Sequence, residues 1–268
     1  MAAEAQVLLE ALLRELPAAA IAVSGGVDSM TLAHLAQRAM GDRVTMVHAV
    51  SPAVPAAASA RVRAHGARHG WRLRIIDAGE LADPDYRSNP ADRCFFCKQS
   101  LYGALERLGL GLLLSGTNTD DLADYRPGLK AAAAHGVRHP FVEAGIDKAG
   151  IRAIAAGLGL DDLADLPASP CLSSRIETGI AIEPQTLGFI DAVETSLAPR
   201  LQATALRCRV RARGIVIELD SPTLATLDAP ARDSLLALVR TLAPAALAQT
   251  PIAIEPYRQG SAFLRADA

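Results

Sequence analysis

Six residues near the start of the chain, Ser24-Gly25-Gly26-Val27-Asp28-Ser29, have the make-up of an anion cradle. Paired glycines let a backbone turn tightly and leave N–H groups free to point at one spot. Ser24 and Ser29 add hydroxyl donors. A helix starting at this point would aim its positive end at the same place, and a phosphate chain is the natural guest. A second segment, Ser115-Gly116-Thr117-Asn118-Thr119-Asp120-Asp121, offers carboxylates. At the carboxyl end of a parallel strand, Asp120 and Asp121 would hold Mg²⁺ against those phosphates. The plainer reading is a helix start whose acids complement the dipole.

Sulfur chemistry is the other possibility. Cys94 and Cys97 form a CxxC in Arg93-Cys94-Phe95-Phe96-Cys97-Lys98, beside two bases that favour thiolate. Cys171 lies far along the chain in Ser169-Pro170-Cys171-Leu172-Ser173-Ser174-Arg175. Two cysteines cannot complete a zinc site. Three could ligate three irons of a 4Fe–4S cluster and leave the fourth iron open, while redox and structural readings of the CxxC also stand. Cys208 sits mid-strand and reads as a small apolar residue. His65 and His69 are spaced i, i+4 but lie among arginines, so a solvated helix face is expected there.

The elements that must position these groups follow from periodicity. Leu8, Leu9, Leu12, Leu13 and Leu16 predict a helix stopped by Pro17, and Ala19 to Val23 predicts a buried strand running into the glycine loop. Leu32, Leu35, Ala36 and Ala39 give the following helix. Strands are expected at 44–50, 73–76 and 110–114, helices at 56–69 and 98–108, and a loop over 79–93. This alternation predicts an α/β fold with a doubly wound parallel sheet. After residue 180 the pattern changes to helix 184–197, strands near 206–211 and 214–219, helix 231–242 and strand 252–255. That is a smaller C-terminal α+β unit, so residues 1–170 and 171–268 are expected to form two domains.

The 268 residues are half apolar with a net charge of −2, a globular composition that implies neither a broad nucleic-acid surface nor a membrane surface. No apolar run is long enough to span a bilayer, and Met1-Ala2-Ala3-Glu4 lacks the basic start of a signal peptide. A cytoplasmic location with reduced or metal-bound cysteines is expected.

Neither GxxxxGK[ST] nor GxGxxG occurs, which excludes a Walker loop and gives no support to dinucleotide binding. Ser24-Gly25-Gly26-Val27-Asp28-Ser29 instead resembles the loop of the PP-loop ATP pyrophosphatases, the adenine nucleotide alpha hydrolase-like fold. Those enzymes grip pyrophosphate and cut ATP between its α and β phosphates. Four segments occur in order: that loop, the Arg93–Lys98 run, Gly116-Thr117-Asn118 through Asp120-Asp121-Leu122-Ala123-Asp124-Tyr125-Arg126-Pro127-Gly128, and Ser169 through Ile176. Together they resemble the LarE family of ATP-dependent sulfur transferases, over nearly the whole chain. One departure is plain: the family often has a Trp-x-Lys-Pro run before the cysteine, where this chain has Leu163-Ala164-Asp165-Leu166-Pro167.

The resemblance implies a small-molecule mononucleotide substrate, pyridinium-3,5-biscarboxylic acid mononucleotide, whose carboxylates become thiocarboxylates on the way to the nickel-pincer nucleotide of lactate racemase. It implies ATP and Mg²⁺ at Ser24, Gly25, Gly26, Asp28, Ser29, Gly116, Asp120 and Asp121. It adds Ser174 and Arg175 to the site, and Arg209 and Arg211, on one face of a strand, as holders of the substrate phosphate. Cys171 is the expected catalytic residue. In one branch of the family the matching cysteine gives up its own sulfur. In another it joins a CxxC matching Cys94 and Cys97 around a 4Fe–4S cluster that carries sulfide. All three cysteines are present here, which points to the second branch, and a homo-oligomer is expected. The competing readings are a PP-loop amidating synthetase, a tRNA-thiolating enzyme, and a nucleotide-binding iron–sulfur sensor without turnover.

Overall fold

The computed structural model describes residues 2–123 and 126–264, so Asp124 and Tyr125 of the third segment lie outside the described residues. The chain divides into two compact units. The first comprises Met1–Glu80 and Asp92–Ser169, the second Leu81–Ala91 and Pro170–Ala268.

The first unit is built on a four-stranded, wholly parallel sheet in the order β3-β2-β1-β4. The strands are β1 (Ala19–Ala22), β2 (Val44–Ala49), β3 (Leu73–Ile76) and β4 (Leu112–Leu114). Both faces of the central strand β1 are covered, which is why it is a continuous apolar run. Ala19 and Ile21 pack into a layer with Leu9, Leu13, Met30, Leu35, Phe141 and Ile154. Ala20 and Val47 point the other way, against Tyr102, Leu105, Ala131 and Ala132. The helices of the first layer include Ala2–Glu15, Val27–Met40 and Lys148–Gly157; those of the second include Arg93–Arg107 and Gly128–Ala134. An α/β doubly wound sheet is therefore what the alternation predicted. The helix expected over 98–108 begins five residues earlier, at Arg93, and so takes in the last residue of the expected loop over 79–93. Cys and Phe are weak helix formers, and packing overrides that preference here.

The strand order matters for function. β2 and β4 flank β1 on opposite sides: the chain moves outward from β1 through β2 to β3, then crosses back to lay β4 along the other side of β1. The carboxyl ends of β1 and β4 thus face a topological switch point, where open α/β sheets bind ligands.

The second unit carries a three-stranded sheet of β5 (Leu206–Arg211), β6 (Gly214–Leu219) and β7 (Ile252–Pro256), antiparallel between β5 and β6 and parallel between β6 and β7. Leu187, Ile190, Val193 and Leu197 form the buried stripe of the helix Pro184–Leu201, which packs on β5 and on the helix Ala229–Leu242. The segment Leu81–Ala91 is stitched into this unit. Asn89, fully buried at φ +56°, donates through Nδ2 to the carbonyls of Glu177 and Ile180 at 2.9 and 3.0 Å. Tyr86 Oη lies 2.6 Å from Ser173 Oγ. No helix among the described residues is long and apolar enough to cross a membrane.

Candidate active site

The glycine loop leaves β1 and enters the helix Val27–Met40 with Gly26 as N-cap. Gly26 has no side chain to satisfy the first helical N–H groups, which stay available to a ligand. Gly25 has φ +84°, and a Cβ there would stand 2.7 Å from the carbonyl oxygen of Ala58. Only glycine fits that backbone. The loop is braced from outside as well: Arg61 Nη1 donates to the Gly25 carbonyl at 2.8 Å. Inside the loop the Ser24 amide donates to Ser29 Oγ at 3.1 Å, and the two serine hydroxyls meet at 3.1 Å. His48 anchors the strand end, with Nδ1 2.7 Å from the Val23 carbonyl and Nε2 2.9 Å from Ser59 Oγ.

The turn after β4 closes on this loop. A Cβ on Gly116 would lie 2.7 Å from the Ser29 amide nitrogen and 2.8 Å from the Asp28 carbonyl carbon. The two loops therefore touch backbone to backbone, and glycine at 116 makes that approach possible. Asn118 and Asp121 form a reciprocal capping box on the short helical turn Thr119–Leu122. Asp120 Oδ2 accepts from the Lys148 amide at 3.1 Å. Ser115 Oγ meets His139 Nδ1 at 2.8 Å, and burial lowers the His139 pKa so that the ring stays neutral.

Lys148 completes the group. Its Nζ lies 2.7 and 2.6 Å from the two carboxylate oxygens of Asp28. Burial raises the Asp28 pKa above its ordinary value, the charge of Asp121 adds to that, and Lys148 opposes both. Ser24, Gly25, Gly26, Asp28, Ser29, Gly116, Asp120 and Asp121 thus gather at the carboxyl ends of β1 and β4, around a carboxylate–ammonium pair. Lys148, His139 and Arg61 escaped the sequence reading. Composition offered a signal for the first: Lys98, Lys130 and Lys148 are the only lysines among 27 basic residues. A chain that uses arginine almost everywhere keeps lysine where a compact charge is needed.

Cys94 and Cys97 share one face in the first turns of the helix Arg93–Arg107, each half-buried. Gly128 is the seat of the neighbouring helix, since a Cβ there would come 2.9 Å from Lys98 Cγ and 3.4 Å from the Cys94 carbonyl oxygen.

In the second unit Cys171 is exposed on a short turn. That turn is held by Arg175, which is buried and pairs with Glu194 through Nε and Nη2 at 3.0 and 2.9 Å. Its Nη1 reaches the carbonyls of Pro170 and Cys171 at 2.6 and 3.2 Å, and Ser174 Oγ at 3.0 Å. Arg175 therefore acts as a clasp beneath the cysteine. Arg209 is buried too, donating to Glu218 at 2.9 Å and to the Ser174 carbonyl at 3.0 Å. Arg211 pairs with Glu218 and, at 3.4 Å, with Glu255. It lines a cavity of about 490 Å³ together with Arg213, Glu218, Glu255, Arg258 and Ser261. The two arginines do share a face of β5, but Arg211 borders this open cavity while Arg209 lies beneath it. Cys208, between them, is fully buried, and burial pushes its thiol pKa well up, which leaves it inert.

No family model matches the chain. An uncharacterized protein of Synechocystis is 38% identical over 209 residues, covering 76% of this chain and 77% of that one. The pyridinium-3,5-bisthiocarboxylic acid mononucleotide synthase of Lactiplantibacillus plantarum is 30% identical over 194 residues, 70% of each chain. The chain belongs to the LarE-like family. An uncharacterized protein of Methanocaldococcus jannaschii is 26% identical over 204 residues, covering 75% of this chain and 77% of that one. The LarE-like resemblance first carried by four short segments thus extends over most of the chain.

Proposed function

We propose that this LarE-like protein is an ATP-dependent sulfur transferase that converts the carboxylates of pyridinium-3,5-biscarboxylic acid mononucleotide to thiocarboxylates. The observation that carries the reading is the meeting of Gly116 with the Ser24–Ser29 loop beside the Asp28–Lys148 pair. A carboxylate oxygen of the substrate attacks the α-phosphorus of ATP, and the bond to the β-phosphate breaks. The loop N–H groups and the hydroxyls of Ser24 and Ser29 receive the departing pyrophosphate, and Lys148 supplies positive charge within reach of it. Asp120 and Asp121 offer oxygens suited to Mg²⁺, which would neutralise phosphate charge there.

The second step needs a sulfur nucleophile, and Cys171 is the exposed thiol on a braced turn. Its thiolate attacks the acyl carbon and AMP leaves with the bonding pair. Release of the thiocarboxylate then breaks the Cys171 Cβ–S bond as the α-proton is removed, leaving dehydroalanine. In the alternative supply the sulfur is sulfide. On the family resemblance alone, Cys94, Cys97 and Cys171 would be the thiolates of a 4Fe–4S cluster that supplies it.

The test is AMP and pyrophosphate release from ATP in the presence of the mononucleotide. Release that depends on the substrate and is lost in Ser24→Ala supports the reading; ADP formation, or release indifferent to the substrate, overturns it. Iron analysis after anaerobic purification, with Cys94→Ala and Cys97→Ala, separates the two sulfur supplies. In the sacrificial route those variants stay active and Cys171 loses the mass of hydrogen sulfide.

A further inference from the structure

The histidine pair at 65 and 69, expected on a solvated face, is not solvated. His65 is buried, as is His34 on the adjoining helix Val27–Met40. His34 Nε2 lies 2.9 Å from His65 Nδ1. His69, at the C-cap of the helix Ala56–Arg68 and exposed, closes the group with its ring centroid 4.5 Å from that of His34. One ring nitrogen from each histidine lies within 4.8 Å of the others, the sole group of this kind among the described residues.

We propose that His34, His65 and His69 form a binding site for one first-row divalent cation of the zinc type. Four observations carry this. Imidazole nitrogens about 2.0–2.1 Å from a tetrahedral ion stand roughly 3.3 Å apart, so the His34–His65 spacing is already near the required value. The third corner falls to the exposed His69, which has a ring nitrogen already within 4.8 Å of one on each of the other two. The remaining nitrogen of His65, Nε2, lies 2.9 Å from Asp162 Oδ2, an acceptor that fixes the proton on Nε2 and turns the Nδ1 lone pair toward the cluster. Histidine ligands of metals characteristically carry such a carboxylate behind them. Trp71 walls one side, its ring centroid 4.9 Å from that of His34.

Without a cation the two buried rings share one proton, donated by His34 Nε2 to His65 Nδ1. Binding moves the His34 proton to Nδ1 and frees both facing lone pairs, with no change in net protonation. Burial and the neighbouring imidazoles lower the His34 pKa to about 3, in keeping with a neutral ring. An ion here would tie the helix that starts at the phosphate loop to the helix bearing Ala58 and Arg61, which press on Gly25. It would brace that loop from behind. Nothing in this depends on which substrate the loop serves.

The test is titration of chelator-treated, tag-free full-length protein with Co²⁺, followed by Zn²⁺ competition. Expected are one equivalent bound, the visible d–d bands of a tetrahedral nitrogen-ligated ion without cobalt–thiolate charge-transfer bands, and quenching of Trp71, the only tryptophan. His69→Ala should weaken binding by at least about tenfold, and Asp162→Asn by roughly tenfold through the orienting hydrogen bond. Both positions are exposed, so both variants should fold. Absence of stoichiometric binding, affinity unchanged in His69→Ala, or a thiolate spectrum marking the cysteines as ligands would each overturn the site.

Discussion

Lys148 and Asp28, 120 positions apart in the sequence, form a two-pronged ion pair with both carboxylate oxygens within 2.7 Å of one ammonium. The pair sits where the helix Val27–Met40 starts and the helix Lys148–Gly157 starts, so two positive helix ends converge on it. Asp28 is there despite its cost. Its raised pKa means that the folded state favours the protonated carboxyl. Stability from this group is therefore full at low pH and is lost as pH rises through the folded pKa. Asp28→Asn should melt no lower than the parent at neutral pH, and its relative advantage should shrink as the pH falls into the carboxylate range. The same variant, like Lys148→Ala, should lose AMP formation by about 10²–10³. A stability scan across pH paired with AMP release checks both halves. A variant that melts much lower yet turns over normally would make Asp28 structural.

Three glycines near the loop should respond differently to alanine. Gly25→Ala meets both a positive φ and the Ala58 carbonyl, so a destabilisation of about 2 kcal/mol or more is expected from strain plus clash. Gly116→Ala has nowhere to put its methyl except against the backbone of Asp28 and Ser29, so it should lower both melting temperature and ATP affinity. At Gly26 the nearest atom to an added Cβ is Ser24 Oγ at 3.6 Å, so Gly26→Ala should fold normally. Thermal melts with and without ATP rank the three. Equal behaviour of all three would remove the close approach of the two loops.

How much of this was open to reading depended on range. Short, largely apolar runs announce parallel strands, so β1 through β4 were legible, and the Ser-Gly-Gly loop carried its conformational needs in its own residues. Lys148 was not legible as a partner of Asp28, because the sheet order alone brings 148 beside 28. His65 was misread because Arg61, Arg63 and Arg68 surround it in sequence. Yet Ala58, Val62 and His65 follow helical spacing and are the buried stripe of that helix, a signal that outweighs the charged neighbours. The resemblance alone places Arg175 in the site. Its donors go to Glu194 and to the Cys171 turn, a bracing role that only tertiary packing could reveal.

That clasp predicts a specific change in thiol reactivity. With Arg175→Ala the Cys171 turn loses its supports and Glu194 is left as a poorly paired, largely buried carboxylate, a loss of roughly 3–5 kcal/mol. Glu194→Gln should be milder, since the amide still accepts from Arg175 and from the Cys208 amide, which lies 2.9 Å from Glu194 Oε1. In the parent protein an alkylating reagent should modify Cys171 readily and Cys208 only after unfolding, given the burial that holds its thiol protonated. Peptide mapping after timed alkylation checks this. Rapid native labelling of Cys208 would contradict the buried placement of β5.

Arg209 and Arg211 separate structure from substrate binding within one strand. Arg209 is committed to the buried carboxylate of Glu218 and to the Ser174 carbonyl, so Arg209→Ala should chiefly destabilise, by about 1.5–3 kcal/mol, through the loss of those buried charge-assisted hydrogen bonds, with Arg211 still paired to Glu218. Arg211 borders the cavity of about 490 Å³ with Arg213 and Arg258, although Glu218 and Glu255 also line it and pair with Arg211 and Arg213. Arg211→Ala leaves Arg209 beside Glu218 and should fold. On the proposed function it raises KM for the mononucleotide by about tenfold or more, the worth of one charge-assisted hydrogen-bonded contact, while KM for ATP stays unchanged. Steady-state AMP release at varied concentrations of each substrate gives both constants. A rise in KM for ATP instead would assign Arg211 to the nucleotide, and no change in either would leave the cavity outside the reaction.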